Sequence, residues 1–328
     1  MSSALVTRPE VDAETLRRWA TAMNGWLAMV GLRSGRSRQT YEAAWRSFVR
    51  CVAKMPWEVT PDDVTRYVAQ LQAEEKSPLT VNSYLSAISS FYAYCAAIYP
   101  PLTSYNPTRL VGRLAAPEEA PDAVSLKEYQ VLMASIAGED LEDLRDRALI
   151  ATYMFTGMRN AAVREMRLRQ LVREGEGVAI RYFSKKPDKK RFPPPAWEHV
   201  ERYLAARRVL DGLKAAWVGE GELPEADWVF VAHAANAAWI SEGKPLSASA
   251  QRKMLKARGR AALGREVRPH MFRHGAGRVL DEAGVEVREI SNFLRHASLD
   301  QTLHYLERLK KMDADDSAAA TMLRALGL

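Results

Sequence analysis

The chain has 328 residues, 47% hydrophobic and 27% charged, the balance of an ordinary folded protein with room for two domains. Its 47 Lys and Arg against 40 Asp and Glu leave a net charge of +7, which suits a polyanionic partner without requiring one. Two cysteines, Cys51 and Cys95, are too few for a disulfide scaffold and lack metal-site spacing, and no window is apolar enough to span a membrane.

The N-terminal MSSALVTRPEVDAE has no signal-peptide core, so a cytoplasmic protein with no membrane partner is expected. From about Asp12 to Pro100 the apolar residues recur at helical spacing in four runs. The first presents Leu16, Trp19, Met23, Trp26, Leu27 and Val30; the second presents Tyr41, Ala44, Trp45, Phe48 and Val49. The third opens with Thr60-Pro61-Asp62-Asp63, a cap, a first-turn proline and two acids that suit the helix dipole, and Ser77-Pro78 starts the fourth in the same way. Four short-looped helices make an all-α bundle over residues 1–114. Its aromatic stripes are expected to form core, and its surface cations can equally meet a DNA backbone or face solvent.

Proline-rich and poor in large apolar residues, the segment around Ala115 to Pro121 is an expected linker, residues 115–124, before a second domain over 125–328. Ser125-Leu126-Lys127-Glu128 is a capping box. Helices are expected over about Ser125–Ala137 and Leu141–Thr156, the latter ending at Gly157, with another beginning after Met158-Arg159. Residues 178–183 are rich in β-formers and lead into a basic turn at 185–191, a hairpin whose tip would project cations. A helix is expected over 201–218, a short strand at 228–231 and a basic helix over 247–263. A last amphipathic helix over 317–328 would pack on its own domain or on a neighbouring subunit.

Residues 268–305 hold the densest chemistry: His270-x-x-Arg273 near a helix start, then Leu294-Arg295-His296, then Tyr305. On their own, these residues serve equally as half-buried histidines with a core tyrosine or as an anion site with a nucleophile. Guanidinium groups match phosphate oxygens in pairs, and a phenol needs cations to stabilise the charge that develops when it attacks phosphorus.

The order Arg159, a hairpin lysine, His270, Arg273, His296, Tyr305 resembles the tyrosine recombinase (phage integrase) family over nearly the whole chain. Thr156-Gly157-Met158-Arg159 is similar to that family's first arginine box. HMFRH and LRHASLDQTLHY are similar to the second, with the nine residues from His296 to Tyr305 keeping its spacing. The resemblance implies a mainly α fold with a small β-sheet in the second domain: a SAM-like four-helix core-binding domain and an α+β catalytic domain. It also implies the roles. Arg159 and Arg273 would clamp the scissile phosphate, His296 would add a hydrogen bond, and His270 would assist proton transfer at the attacking oxygen. Tyr305 would form a 3′-phosphotyrosyl link, and Lys186 would protonate the leaving 5′-oxygen. With no carboxylate cluster and no phosphate-cradling glycine loop in the sequence, no metal or cofactor is expected.

Three departures stand out. Ala162 occupies the family's usual acidic position, with Glu165 one turn further on; Arg295 replaces the glycine before His296; and Lys185-Lys186-Pro187-Asp188 stands where Gly-Lys-Gly-Asn is usual, leaving the choice between Lys185 and Lys186 to a count from Lys189. The simple two-domain form resembles Xer- and Cre-like members. It implies a clamp on double-stranded DNA bearing paired inverted-repeat sites, a homotetramer joined by cyclic exchange of helix 317–328, and a Holliday junction. Two alternatives differ in outcome: a type IB topoisomerase-like relaxing enzyme, and a DNA-binding factor that does not cleave.

Overall fold

The computed structural model describes residues 12–115, 122–183, 187–223, 227–233, 240–296 and 298–307. The chain divides into two units, Met1–Glu118 and Glu119–Leu328.

Unit one holds α1 (Ala13–Arg33), α2 (Gly35–Val52), α3 (Pro61–Ala73) and α4 (Pro78–Ala97), with a 3-10 turn at Pro56–Glu58. Local chemistry sets each start. Asp12 accepts the Thr15 amide at 2.8 Å, and Ser34 ends α1 and caps α2 at once. Thr60 and Asp63 form a reciprocal box at α3, and Ser77 caps α4. Trp19, Trp26, Trp45, Phe48, Phe91 and Tyr92 fill the bundle, with Trp45 and Phe91 centroids 4.2 Å apart. Cys95 lies in that core, as its apolar pattern suggests. Leu16 and Val49, expected on the apolar stripes, are instead exposed at their edges.

Unit two contains α5 (Leu126–Ser135), α6 (Leu141–Thr156), α7 (Asn160–Arg164), β1 (Leu171–Glu174), β2 (Gly177–Phe183), β3 (Pro187–Phe192), α8 (Pro194–Ala206) and α9 (Leu210–Trp217). It continues through β4 (Val231–His233), β5 (Ile240–Pro245), α10 (Ala248–Leu263), α11 (Pro269–Glu282) and α12 (Val287–Leu294) to α13 at 299–307, the last helix among the described residues. The Ser125–Glu128 box caps α5 as its residues dictate. Helix α6 is buried along almost its whole length, and the charges it takes inside are paired: Arg145 with Asp146 at 2.8 Å, and Arg258 of α10 with Asp146 at 2.9 Å. Helix α11 packs on α6 and on the segment entering the unit; a Cβ at Gly275 would lie 2.0 Å from the Val124 carbonyl oxygen, so only glycine permits that approach. No helix among the described residues is long and apolar enough to cross a membrane.

The fold is mainly helical with small sheets, as expected, but three local expectations are corrected. Residues 187–192 form strand β3, so Lys189, Lys190 and Arg191 are strand residues and not part of a turn. Their alternation explains it. Lys189 and Arg191 face outward and pair with Glu174, while Lys190 and Phe192 face inward opposite Ile180 and Val178. Strand β1 completes a three-stranded antiparallel sheet in the order β1-β2-β3, and four residues are too few to declare themselves by periodicity.

The helix expected over 201–218 is two. Helix α8 begins at Pro194, where a missing N–H costs nothing, and Arg208 takes the left-handed region (φ 58°) between α8 and α9. The strand expected at 228–231 lies at Val231–His233, paired with β5, and Trp228 stands outside it in an isolated bridge to Arg167. Tyr305 stands on helix α13. The expected exchange helix, 317–328, and the interdomain stretch 116–121 lie outside the described residues.

Candidate active site

Helix α6 ends at Gly157, whose φ of 57° and close neighbours together favour glycine: a Cβ there would lie 2.8 Å from Phe293 Cε1. The sharp exit makes Arg159 the extended N-cap of α7, exposed, and its Nη2 donates to the Arg295 carbonyl oxygen at 2.9 Å. Arg273 sits in the second turn of α11 and is buried, with Nη1 donating to Gly157 O and Nη2 to Leu294 O. One guanidinium thus joins the C-terminal ends of α6 and α12, where unsatisfied carbonyls and the helix dipole favour a cation. Burial, and then the Arg159 charge, bring Arg273 down to about 10, so it stays protonated at neutral pH.

Arg295 ends α12 with φ 54° and ψ 52°, a left-handed conformation in which a non-glycine residue is uncommon. This is the position where glycine was expected by resemblance, and the arginine fills it with the glycine's backbone. The turn lets His296 follow: its amide donates to Ser291 O at 3.1 Å, and its Nδ1 is 2.8 Å from the Thr302 hydroxyl of α13. Burial, then Arg273 and Arg159, hold His296 at about 4. The same three causes, in the same order, lower His270, which is exposed at the start of α11. Both imidazoles are therefore neutral at pH 7, able to accept a proton or to donate from one nitrogen.

Tyr305 is 8% exposed, seated among Ile290, Leu294 and Leu306. Its hydroxyl donates to the His274 carbonyl oxygen, and its ring stacks on the His274 imidazole with centroids 4.9 Å apart. The His296 ring lies edge-on at 6.2 Å. Burial pushes the phenol well above its ordinary value, against a smaller opposing pull from Arg273. In this seat the phenol is protonated and its proton is committed to the backbone.

The structure brings five of the six expected site residues into one neighbourhood of unit two. Arg159 and Arg273 meet the ends of α6 and α12, His296 and His274 flank Tyr305, and His270 lies one ring beyond His274, at 6.4 Å. The sixth, Lys186, and its alternative Lys185 lie outside the described residues. Arg159, Arg273, Arg295 and Lys190 line a pocket of about 300 Å³ that also meets Ala162 and Glu165. Two residues escaped sequence reasoning. His274 follows His270 by one helical turn within HMFRH, a spacing that places both on one face. Lys190, buried on β3, carried only the strand's alternation as a signal. Chemically, the cluster offers preorganised cations for an oxyanion and neutral imidazoles for proton transfer.

The depressed histidines predict acid sensitivity. His296, His274 and, away from the pocket, His233 (hydrogen-bonded to Tyr203 at 2.9 Å) are all held at about 4 from 6.5. The unfolded chain therefore binds protons between pH 6.5 and 4 that the folded one refuses. Stability present above 6.5 is lost as pH falls through that window, on the order of 1 kcal/mol per histidine after solvent screening. Thermal midpoints recorded at pH 7 and 5 check this: a drop at pH 5 that His233→Gln makes smaller is expected, and a midpoint that rises on acidification contradicts it.

Residues 123–312 match the phage integrase family, and residues 32–98 match the phage integrase N-terminal SAM-like domain. Tyrosine recombinase XerC of Chlamydia caviae is 26% identical over 263 residues, covering 79% of this chain and 78% of that one. Tyrosine recombinase XerD of Halalkalibacterium halodurans is 27% identical over 254 residues, with coverage of 75% and 77%. Among solved structures, the XerH site-specific recombinase bound to palindromic difH substrate in a post-cleavage complex superposes with a TM-score of 0.65 at 17% identity, covering 86% of this chain and 79% of that one. A lambda integrase (75-356) dimer bound to a COC′ core site superposes with a TM-score of 0.61 at 14% identity, with coverage of 87% and 94%. At such identities the likeness is one of fold.

Proposed function

The chain belongs to the phage integrase family, and from that premise we propose that it is a site-specific DNA recombinase that cuts and rejoins duplex DNA through Tyr305. The observation that carries this reading is the cluster itself: Arg273 bonded to the ends of α6 and α12, Arg159 bonded to the α12 end beside it, and Tyr305 seated between two imidazoles.

In this reading Arg159 and Arg273 take the non-bridging oxygens of the scissile phosphate. A guanidinium has five N–H donors, so Arg273 can hold its two carbonyls and still reach phosphate. His296 accepts from Thr302 at Nδ1 and donates from Nε2 to the same phosphate. The Tyr305 hydroxyl leaves the His274 carbonyl, gives its proton toward His270 and attacks phosphorus in line. The P–O5′ bond breaks, Lys186 protonates the departing oxygen, and the 3′-phosphate stays on the tyrosine. The link conserves the phosphodiester's energy, so a 5′-hydroxyl from a partner duplex can reseal it through a Holliday junction without ATP.

The DNA partner carries paired inverted-repeat sites, and four protomers assemble on two of them through exchange of residues 317–328. Deleting 317–328 is expected to leave cleavage of a nicked duplex measurable while lowering the tetramer fraction on paired sites at least tenfold in native gels. Undiminished tetramers contradict the exchange, and relaxation of supercoils by a monomer favours the topoisomerase-like alternative.

A further inference from the structure

We propose that Lys190 is a positioning residue for this reaction, an ammonium on β3 that clamps the ends of α6 and α12 so that Arg159 and Arg273 keep their spacing. The inference rests on the reading of the pocket as the scissile-phosphate site.

Three cations meet the junction of the two helix ends in consecutive steps. Lys190 Nζ donates to Thr156 O at 2.5 Å and to Phe293 O. Arg273 donates to the next residue of each helix, Gly157 O and Leu294 O. Arg159 donates to the one after on the α12 side, Arg295 O. Two helix C-termini brought together place like partial charges face to face, and their last carbonyls have no helical partners. Arg273 alone satisfies one pair of carbonyls; Lys190 satisfies the pair before it. With both in place, the ends are held at two levels and cannot pivot about a single guanidinium.

The strand aims the lysine there. Lys190 pairs with Ile180 across β2 and shares the inner face with Phe192, so its stem runs through core and only the ammonium emerges, 3.8 Å from the Phe293 ring centroid. A lysine this buried is costly unless its donors are used, and here two of them meet backbone carbonyls. Two of its three donors are turned inward to backbone carbonyls, a placement that suits holding the helix ends more than protonating a leaving oxygen. Lys190 therefore acts through the arginines, and leaving-group protonation stays with the hairpin lysine.

The test uses the full-length protein and a nicked duplex whose cleavage releases a short fragment, so that the adduct accumulates in a single turnover. Amplitude counts competent molecules and the rate constant reports the site; a merely structural lesion lowers the first and spares the second. Lys190→Met is expected to slow adduct formation at saturating DNA at least tenfold per competent molecule. The half-saturating DNA concentration should move less than twofold, and Lys190→Arg should recover part of the rate. Lys190→Gln keeps one donor without the charge, serves where methionine unfolds the unit, and is expected to be slow in the same way. A substrate with sulfur in place of the leaving 5′-oxygen needs no acid, and it should leave Lys190→Met as slow as before.

A wild-type rate constant in the Met or Gln variant overturns the proposal. So does recovery on the sulfur substrate, which would make Lys190 the leaving-group acid. Failure of the unmodified protein to form any adduct sinks the underlying recombinase reading instead.

Discussion

Tyr305→Phe is expected to fold, to bind DNA and to form no covalent adduct at any enzyme concentration or time. The phenyl ring keeps its seat against Ile290, Leu294 and Leu306 and its stacking on His274, so the core loses only one hydrogen bond, to the His274 carbonyl. That loss costs about 0.5–1.5 kcal/mol, small beside a typical stability of about 5–15 kcal/mol. The chemistry loses its proposed nucleophile, since the side chains packed directly on the ring, His274, Ile290, Leu294 and Leu306, carry no hydroxyl. Denaturing gels of labelled nicked duplex, run beside a thermal melt, separate the two effects. An adduct surviving in Tyr305→Phe would mean that another hydroxyl attacks.

Arg273→Ala is expected to damage both chemistry and fold. It strips a buried charge from the ends of α6 and α12 and leaves Gly157 O and Leu294 O without their guanidinium. Each carbonyl so orphaned costs about 1–3 kcal/mol, and removing one phosphate donor costs about 10²–10³ in rate. Arg273→Lys sharpens the comparison. It restores a charge but not a planar fork, so a single ammonium cannot reproduce two carbonyl contacts and a phosphate contact together. Its melting point should recover most of the loss while its cleavage rate stays at least tenfold down. Arg273→Ala cleaving at the wild-type rate would place the phosphate elsewhere.

What could be read from residue order was local chemistry. Thr60 with Asp63 and Ser125 with Glu128 begin helices where their side chains say they must, and Gly157 ends α6 as a C-cap glycine does. The site residues were visible as two boxes because their spacing within α11 and across α12 is short. What stayed hidden depends on partners far along the chain. Lys190 looks like one more charge in a basic loop until its carbonyls arrive from positions 34 and 103 residues away. Nothing in Arg295 announces a left-handed backbone, because glycine is the ordinary choice there. His274 is an unremarked neighbour of Arg273 until α13 lays Tyr305 on it. The seat of Tyr305 also could not be foreseen: an attacking phenol is expected near the surface, and this one donates a hydrogen bond to a backbone carbonyl inside its own unit.

Mass spectrometry of the trapped adduct tests the central assignment most directly. After digestion of protein and DNA, a single modified peptide is expected, in which Tyr305 carries a nucleotide through that nucleotide's 3′-phosphate. A nucleotide on any other residue, or one joined to Tyr305 through its 5′-phosphate, would contradict it.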